Sequence, residues 1–535
     1  MTFAAQWADA VAARPSSTFL RFEASDGTVT QWSYAEFDDV VARTATGFAG
    51  AGVDPARGVH LALTNSPCFV AAWLAAVRLG SFIVPSDPMG TAPELAEHIE
   101  RTTPAVSVVS TRRREVAVDA VGRVAGPAPK MFVVDEDDST CGELVVDAGR
   151  VREPRSTWPQ PGALDRAGIM FTSGTTGRPK GVEITQANYA FAGSTMAAAA
   201  GLAHDDRQLV VLPLFHANAQ YYSFASAIAV GASVALMHTF SASGFVAQAA
   251  RHGATHASLF AGPMRMILAR GGPHTATEEA PELRLRHCWF AQNITVDQHD
   301  TLTEWFGCRP RQLYGMTETI PAVLTDRAGD ARHDSMGFVT DGCIVDVHDA
   351  RGNPVGPGEV GEVVVGGEPG TTLFAGYLDD PETTSASFRD EWFRTGDRAR
   401  RDTEGRYFFD GRRSDVLKVS GENVSVVEVE SVVGDHPDVF DVVVVGAPDP
   451  IRDEVPAAFV VVEPGALVEG LDQRLAAWCE ARLAKAKRPH SYTVVDELPR
   501  TSVGKVRKFL LTEAASRSVA ETDADAATPS PLEAS

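Results

Sequence analysis

Along most of the first 400 residues, short β-branched runs alternate with Ala-rich stretches of helical length. GVHLALT (58–64) leads into CFVAAWLAAVRLG (68–80), and SFIVPSD follows immediately. AVSVVS, KMFVVDE, RQLVVLPLF, ASVALMHTF and THASLF repeat the strand pattern, with helical stretches between them. Alternation at this spacing predicts layered α/β subdomains built on largely parallel strands. No fixed-period self-similarity is present, which argues against a solenoid or a propeller.

The texture changes near Asp341. CIVDVHDARGNPVGPGEVGEVVVGG alternates short strands with Gly, Pro and Asn turns, the pattern of a small β lobe. Beyond GRRSD (411–415), FDVVVVGAPD and VPAAFVVVEPG read as paired strands, and LDQRLAAWCEARLAKAKR reads as one amphipathic helix. VVEVESVV (426–433) is ambiguous: its valines favour a strand on propensity alone. ETDADAATPSPLEAS (521–535) holds four carboxylates, two prolines and a single bulky apolar residue, Leu532, so it predicts a disordered tail.

Composition narrows the function classes. A chain of 535 residues exceeds the roughly 250–300 residues at which one hydrophobic core stops growing, so at least two domains are expected. The formal charge of −22 argues against a nucleic-acid partner, whose footprint is basic. The N-terminus lacks a basic start and an unbroken apolar run, and no window reaches membrane-span length, so a cytoplasmic protein without a membrane partner is expected. Cysteines 68, 141, 288, 308, 343 and 479 lie far apart, as isolated thiols do, and no C-x-x-C or His cluster has zinc-ligand spacing.

The strongest chemical signal is GIMFTSGTTGRPKGVEI (168–184). An apolar strand runs into a loop with three glycines, four hydroxyls and Lys180. Glycine lets backbone approach a ligand closely, and successive N–H groups form an anion-binding nest to which hydroxyls and a lysine add donors. The loop therefore suits a polyphosphate. It is not a Walker A loop, because Lys180 follows Gly177 by three residues and no GK[ST] triplet is present.

TSGTTGRPKG resembles the phosphate loop of the adenylate-forming superfamily of acyl-CoA synthetases, adenylation domains and luciferases. That family's other motifs follow in order: YGMTET (314–319), RTGD (394–397), GRRSD (411–415) and LPRTSVGKVRK (498–508). Within the superfamily, WFAQNITVDQHD, PLFHANAQ and SGENVSVVEVESVVGDHPDVF are similar to crotonobetaine/carnitine–CoA ligases. The resemblance implies ATP, Mg²⁺ and CoA, and an acid–CoA ligase reaction through an acyl-adenylate. It also implies domains at 1–411 (ATP and acid site) and 416–512 (mobile, with the catalytic lysine), a hinge at 412–415, and a tail at 513–535.

Residue roles follow from the same resemblance. Thr172, Ser173, Gly174, Thr175, Thr176, Gly177 and Lys180 would bind the triphosphate. Thr317 and Glu318 would face the α-phosphate, with Glu318 the metal ligand. Asp397 and Arg412 would hold the ribose, since Asp accepts from hydroxyls and Arg donates. Tyr314, Gln292 and Asn293 would neighbour adenine, although AQNIT (291–295) departs from the commoner Gly-Gly-Ala-Pro pattern, and Phe409 would pack nearby or in the core. Lys505 would place its charge between the attacking carboxylate and the α-phosphate. His216, ending a strand, would gate an acid pocket that includes Tyr221, Tyr222 and Gly262, where either tyrosine could face a quaternary ammonium. Ser414 stands at the hinge where relatives often place Asp or Lys. Lys418–Asn423, including Glu422, would lie on the thioester-forming face, and KAKR (485–488) reads as a solvated helix end or a contact for the phosphates of CoA. Transfer of the activated acid to an amine or a carrier-protein thiol (nitrite being one such acid), an inactive nucleotide-binding scaffold, and assembly as a homodimer stay open.

Overall fold

The computed structural model describes residues 1–142, 144–145, 160–172, 179–272, 282–412, 416–419, 422–449, 453–500, 506–508 and 510–516. The chain forms two compact units, Met1–Asp346 with Val364–Arg394, and Val347–Val363 with Thr395–Ser535. The hairpin strands Trp392–Arg401 and Tyr407–Arg412 pair with each other, and the division at Thr395 falls within the first of them.

Among the described residues, the first unit carries two layered sheets. A seven-stranded sheet runs in the order Gly376–Tyr377, Lys180–Thr185, Arg166–Thr172, Ile83–Pro85, Val59–Ala62, Val106–Ser110, Lys130–Val134. Its last five strands are parallel, whereas Arg166–Thr172 and Lys180–Thr185 form an antiparallel hairpin. The Ala-rich stretch is the helix Pro67–Arg78, capped by Ser66, and every residue from Pro67 to Val77 is buried. Such burial on all sides explains why its sequence has no polar stripe.

A nine-stranded sheet runs Phe338–Val339, Leu324–Thr325, Arg311–Tyr314, His287–Ala291, His256–Phe260, Arg207–Val210, Ser233–Met237, Thr18–Glu23, Val29–Ser33. Pairing is parallel from Arg311–Tyr314 through Thr18–Glu23. Ala257, Leu259, Cys288 and Phe290 face an apolar core shared with the helices Phe245–His252, Ala261–Arg270 and Val296–Phe306. By the two-residue repeat of a strand, Ser258 and Trp289 face the opposite side.

In the second unit, the strands expected from FDVVVVGAPD and VPAAFVVVEPG pair antiparallel as Val439–Asp449 and Asp453–Val462. Val444, Ala458 and Val460 pack on one face, and Val443, Val445, Ala457 and Phe459 on the other. The ambiguous segment is a helix, Val426–Gly434, because Ser425 Oγ accepts the Glu428 N–H and Val426, Val429 and Val433 share one buried face. Valine's helix penalty is a few tenths of a kcal/mol, about an order of magnitude below what burying such a face contributes. The next helix, Leu471–Glu480, is shorter than expected: it stops before the KAKR run. Lys485–Lys487 forms a separate 3₁₀ turn, where Lys487 pairs with Glu428 at 2.7 Å and Arg488 folds back on Glu480 at 2.7 Å. KAKR is therefore not the end of that helix.

Candidate active site

Lys180 is positioned by the hairpin. Thr172 and Lys180 are register partners at its loop end, and residues 173–178, including Ser173, Gly174, Thr175, Thr176 and Gly177, lie outside the described residues. Gly181 is closely packed: a Cβ there would lie 3.0 Å from the Leu378 Cβ and 3.3 Å from Ile169 Cγ2. The Lys180 ammonium sits over the Tyr377 ring, 4.7 Å from its centroid. Arg101 secures the neighbouring backbone: its Nη1 donates to the Pro179 carbonyl at 2.6 Å, and its guanidinium covers Phe171 at 4.9 Å. Arg101, Lys180, Tyr377, Asp379 and Asp380 line a cavity of about 430 Å³. Hydrogen bonds from Thr383 hold the Asp380 carboxyl below its usual range, and the positive charges of Lys180 and Arg101 lower it further.

Glu318 reaches the same tyrosine from another part of the sequence. The turn Met316–Thr319 is closed by the Met316 N–H on Thr319 Oγ1 at 3.0 Å and the Thr319 N–H on the Met316 carbonyl at 3.2 Å. Gly315 lets it pack, since a Cβ would meet Ala322 Cα at 2.8 Å and the Pro321 carbonyl at 2.9 Å. Glu318 is buried, its carbonyl accepts from the Phe374 N–H, and its Oε1 accepts the Tyr377 hydroxyl at 3.1 Å. Burial and the adjacent Glu318 charge push the Tyr377 phenol far above its ordinary value, so it stays a donor. Thr317 is half-buried in the same turn. Lys180 therefore lies over the ring of Tyr377 and Glu318 at its hydroxyl.

His216 does not end a strand. The strand closes at Val210, and His216 sits in the following turn, its N–H on the Pro213 carbonyl and its ring 4.3 Å from Phe215. Asn65 fixes that turn, accepting from the Leu214 N–H at 2.8 Å and donating to the carbonyls of Leu212 and Met237 at 3.1 Å. A π-helix, Asn218–Ala225, follows with every residue buried. On it, Tyr221 donates to Met170 Sδ at 3.8 Å and meets Tyr189 edge-on, and Tyr222 stands beside Gly315. Burial raises the Tyr221 phenol well above its usual value, with the charge of Glu318 contributing. Gly262 lies in the first turn of Ala261–Arg270.

Tyr314 ends its strand half-buried. Exposed Asn293 accepts at Oδ1 from Gln312 at 2.9 Å, and Gln292 takes a left-handed backbone (φ 74°). In the second unit, Asp397 and Arg412 are register partners, joined Arg412 Nε to Asp397 Oδ1 at 2.7 Å. Asp397 is buried and its N–H donates to Thr395 Oγ1, while half-buried Phe409 pairs across with Ala399. Ser414 and Lys505 lie outside the described residues, as do the side chains of Lys418, Glu422 and Asn423. Among the described residues, no cluster of three or more His, Cys, Asp or Glu could hold a metal, and no helix is long and apolar enough to cross a membrane.

The chain belongs to the AMP-binding enzyme family, matched over residues 7–378, with the AMP-binding enzyme C-terminal domain matched over 428–505. It is an enzyme of the AMP-forming acyl-CoA synthetase type. A crotonobetaine/carnitine–CoA ligase of Salmonella paratyphi B is 32% identical over 511 residues, covering 94% of this chain and 97% of that protein. Among solved structures, an anthranilate CoA ligase in complex with anthranoyl-AMP superposes with a TM-score of 0.86 at 25% identity, covering 97% of this chain and 98% of the other. A benzoate CoA ligase of Burkholderia xenovorans LB400 gives 0.84 at 25% identity, covering 96% and 100%.

Proposed function

We propose that this enzyme is an ATP-dependent ligase that joins a small carboxylic acid to CoA. The observation that carries the proposal is the convergence of Lys180 and Glu318 on Tyr377, a cation and a buried carboxylate beside one tyrosine. In the first half-reaction a carboxylate oxygen attacks the α-phosphorus of ATP, the bond to the β-phosphate oxygen breaks, and pyrophosphate leaves. In the second, the thiolate of CoA attacks the acyl carbon, and AMP departs with the electrons of the C–O bond.

Lys180 and the loop before it hold the triphosphate, and Lys505 steadies the charge growing on the α-phosphate. Asp397 accepts from the ribose hydroxyls while Arg412 aims its carboxylate; Tyr314 and Asn293 border the adenine. His216 stands at the entry of the acid, Tyr222 and Gly262 border its site, and Ser414 is the pivot of the C-terminal domain. Mg²⁺ entering with ATP would supply further positive charge at the phosphates. A single buried carboxylate, Glu318, fits that ion, which keeps several waters and takes its remaining ligands from phosphate oxygens.

The test is ATP–pyrophosphate exchange across a panel of aliphatic, aromatic and ammonium-bearing acids, followed by AMP release with and without CoA. The expected result is acid-dependent exchange and CoA-dependent AMP release. Exchange without a CoA requirement would assign the acceptor to an amine or a carrier thiol, and no exchange with any acid would overturn the proposal.

A further inference from the structure

Three buried polar side chains on one side of the nine-stranded sheet have no hydrogen-bond partner among the described residues: Asn218 at both Oδ1 and Nδ2, Ser258 at Oγ, and Trp289 at Nε1. Their residues are 4%, 3% and 1% exposed. Buried polar groups are usually paired, so three orphans in adjacent elements leave hydrogen-bonding capacity that a ligand could take up.

The topology brings them together. Ser258 and Trp289 are register partners on neighbouring parallel strands, so both side chains leave the same face, opposite the apolar core. The π-helix Asn218–Ala225 packs on that face. Gln208, on the next strand, donates to the Tyr222 carbonyl at 3.4 Å and to Ser226 Oγ at 3.3 Å. His256 is in register with Gln208, and Ser258 lies one side-chain repeat further toward the C-terminal strand ends. The helix returns antiparallel to the strand, so Asn218, one turn before Tyr222, is displaced in the same direction. Ligands of parallel α/β sheets bind at those strand ends. The neighbours are satisfied internally: Gln220 donates to the Leu214 carbonyl and accepts from Tyr189, and Tyr221 donates to Met170.

We infer that Asn218, Ser258 and Trp289 form a polar subsite for the part of the acid remote from its carboxylate, and that the acid carries there an uncharged hydrogen-bonding group such as a hydroxyl. Resting on the proposed ligase reaction, this narrows its substrate class. Asn218 and Ser258 both donate and accept, and Trp289 donates. A hydrocarbon tail or a trimethylammonium group offers none of these bonds and would leave all three groups unsatisfied, a situation that lets a site reject an analogue strongly.

The experiment compares kcat and KM for pyrophosphate exchange with butyrate against 3-hydroxybutyrate, benzoate against 4-hydroxybenzoate, and 4-(trimethylammonio)butyrate. The wild type is expected to favour a hydroxylated acid over its parent by roughly 100-fold or more in kcat/KM. Asn218→Leu should bring that ratio below about tenfold, as should Ser258→Ala, which tests the subsite if the first variant folds poorly. The ligand-free thermal midpoint is the second readout. Replacing an unsatisfied amide with an apolar isostere should leave it level or raise it, whereas a structural amide would lower it. A ratio unchanged in both variants, a wild-type preference for the hydrocarbon or trimethylammonium acid, or a clear loss of midpoint in both variants would overturn the subsite. Absence of exchange with every acid would overturn the ligase reading instead, and the midpoints would still decide whether the amide is structural.

Discussion

Tyr377 joins two charges of opposite sign. Its ring carries Lys180 and its hydroxyl restrains Glu318. Tyr377→Phe keeps the ring and removes the donor, so Glu318 would lose a charge-assisted bond worth roughly 1.5–3 kcal/mol. The expected outcome is a fall of about 10–100-fold in kcat for pyrophosphate exchange, with folding intact. Glu318→Gln removes the charge itself and should cost more. Steady-state exchange kinetics check both, and equal rates for Tyr377→Phe and wild type would show that the phenol does not orient Glu318. At this scale, residues in local motifs stand out as candidates from the sequence: Lys180, Glu318 and the Asp397–Arg412 pair are picked out by their loops and spacing. Tyr377 and Arg101 are not. Each reaches the site through long-range pairing, Tyr377 as the register partner of Val182 and Arg101 through the Pro179 carbonyl, and nothing in GYLDD or IERTT marks them.

At the scale of elements, hydrophobic periodicity carried most of the fold. It marked the parallel strands and the paired strands of the C-terminal unit, but it overran the helix Leu471–Glu480, since Lys and Arg continue a helical pattern that Arg488 ends by folding back on Glu480. The π-helix was invisible because its wider turn has no local code in NAQYYSFA, and so the buried orphan Asn218 was invisible too. The seven-stranded sheet also holds a buried histidine relay. His60 contacts Ser107 Oγ at 2.8 Å and Ser86 Oγ at 3.0 Å, and Ser86 Oγ lies 2.7 Å from His98 Nδ1. Burial, aided by His98, pushes His60 down to about 3. Burial likewise brings His98 down to about 4; Glu97 and Glu94 oppose the shift and Arg101 adds to it. Both folded values lie below the ordinary histidine value of 6.5, so the unfolded chain takes up these protons first as pH falls. Their contribution is complete above about 6.5 and is lost progressively down to about 3. The urea midpoint should therefore fall between pH 7.5 and 4.5, and His60→Asn should flatten that fall. A variant that retained the full slope would remove His60 from the acid response.

For the whole molecule, the formal charge of −22 excluded nucleic acid as an expectation without revealing that phosphate binding is the central task. Four of those negatives lie in the segment 521–535. In the first unit, the cations Arg101 and Lys180 lie together beside a cavity despite that global charge. Division of the chain into two units places Glu318 and Lys180 in one and Asp397 and Arg412 in the other. In the proposed reaction Lys505 serves adenylation and not thioester formation. The most direct measurement is therefore Lys505→Ala assayed in both half-reactions, using the acid that supports exchange in the wild type. Pyrophosphate exchange should fall by roughly 100-fold or more, the size expected when a charge aimed at the transition state is removed. Thioester formation from supplied acyl-adenylate and CoA should persist near the wild-type rate. Equal losses in both half-reactions, or failure of the wild type to convert acyl-adenylate and CoA to thioester, would contradict the account.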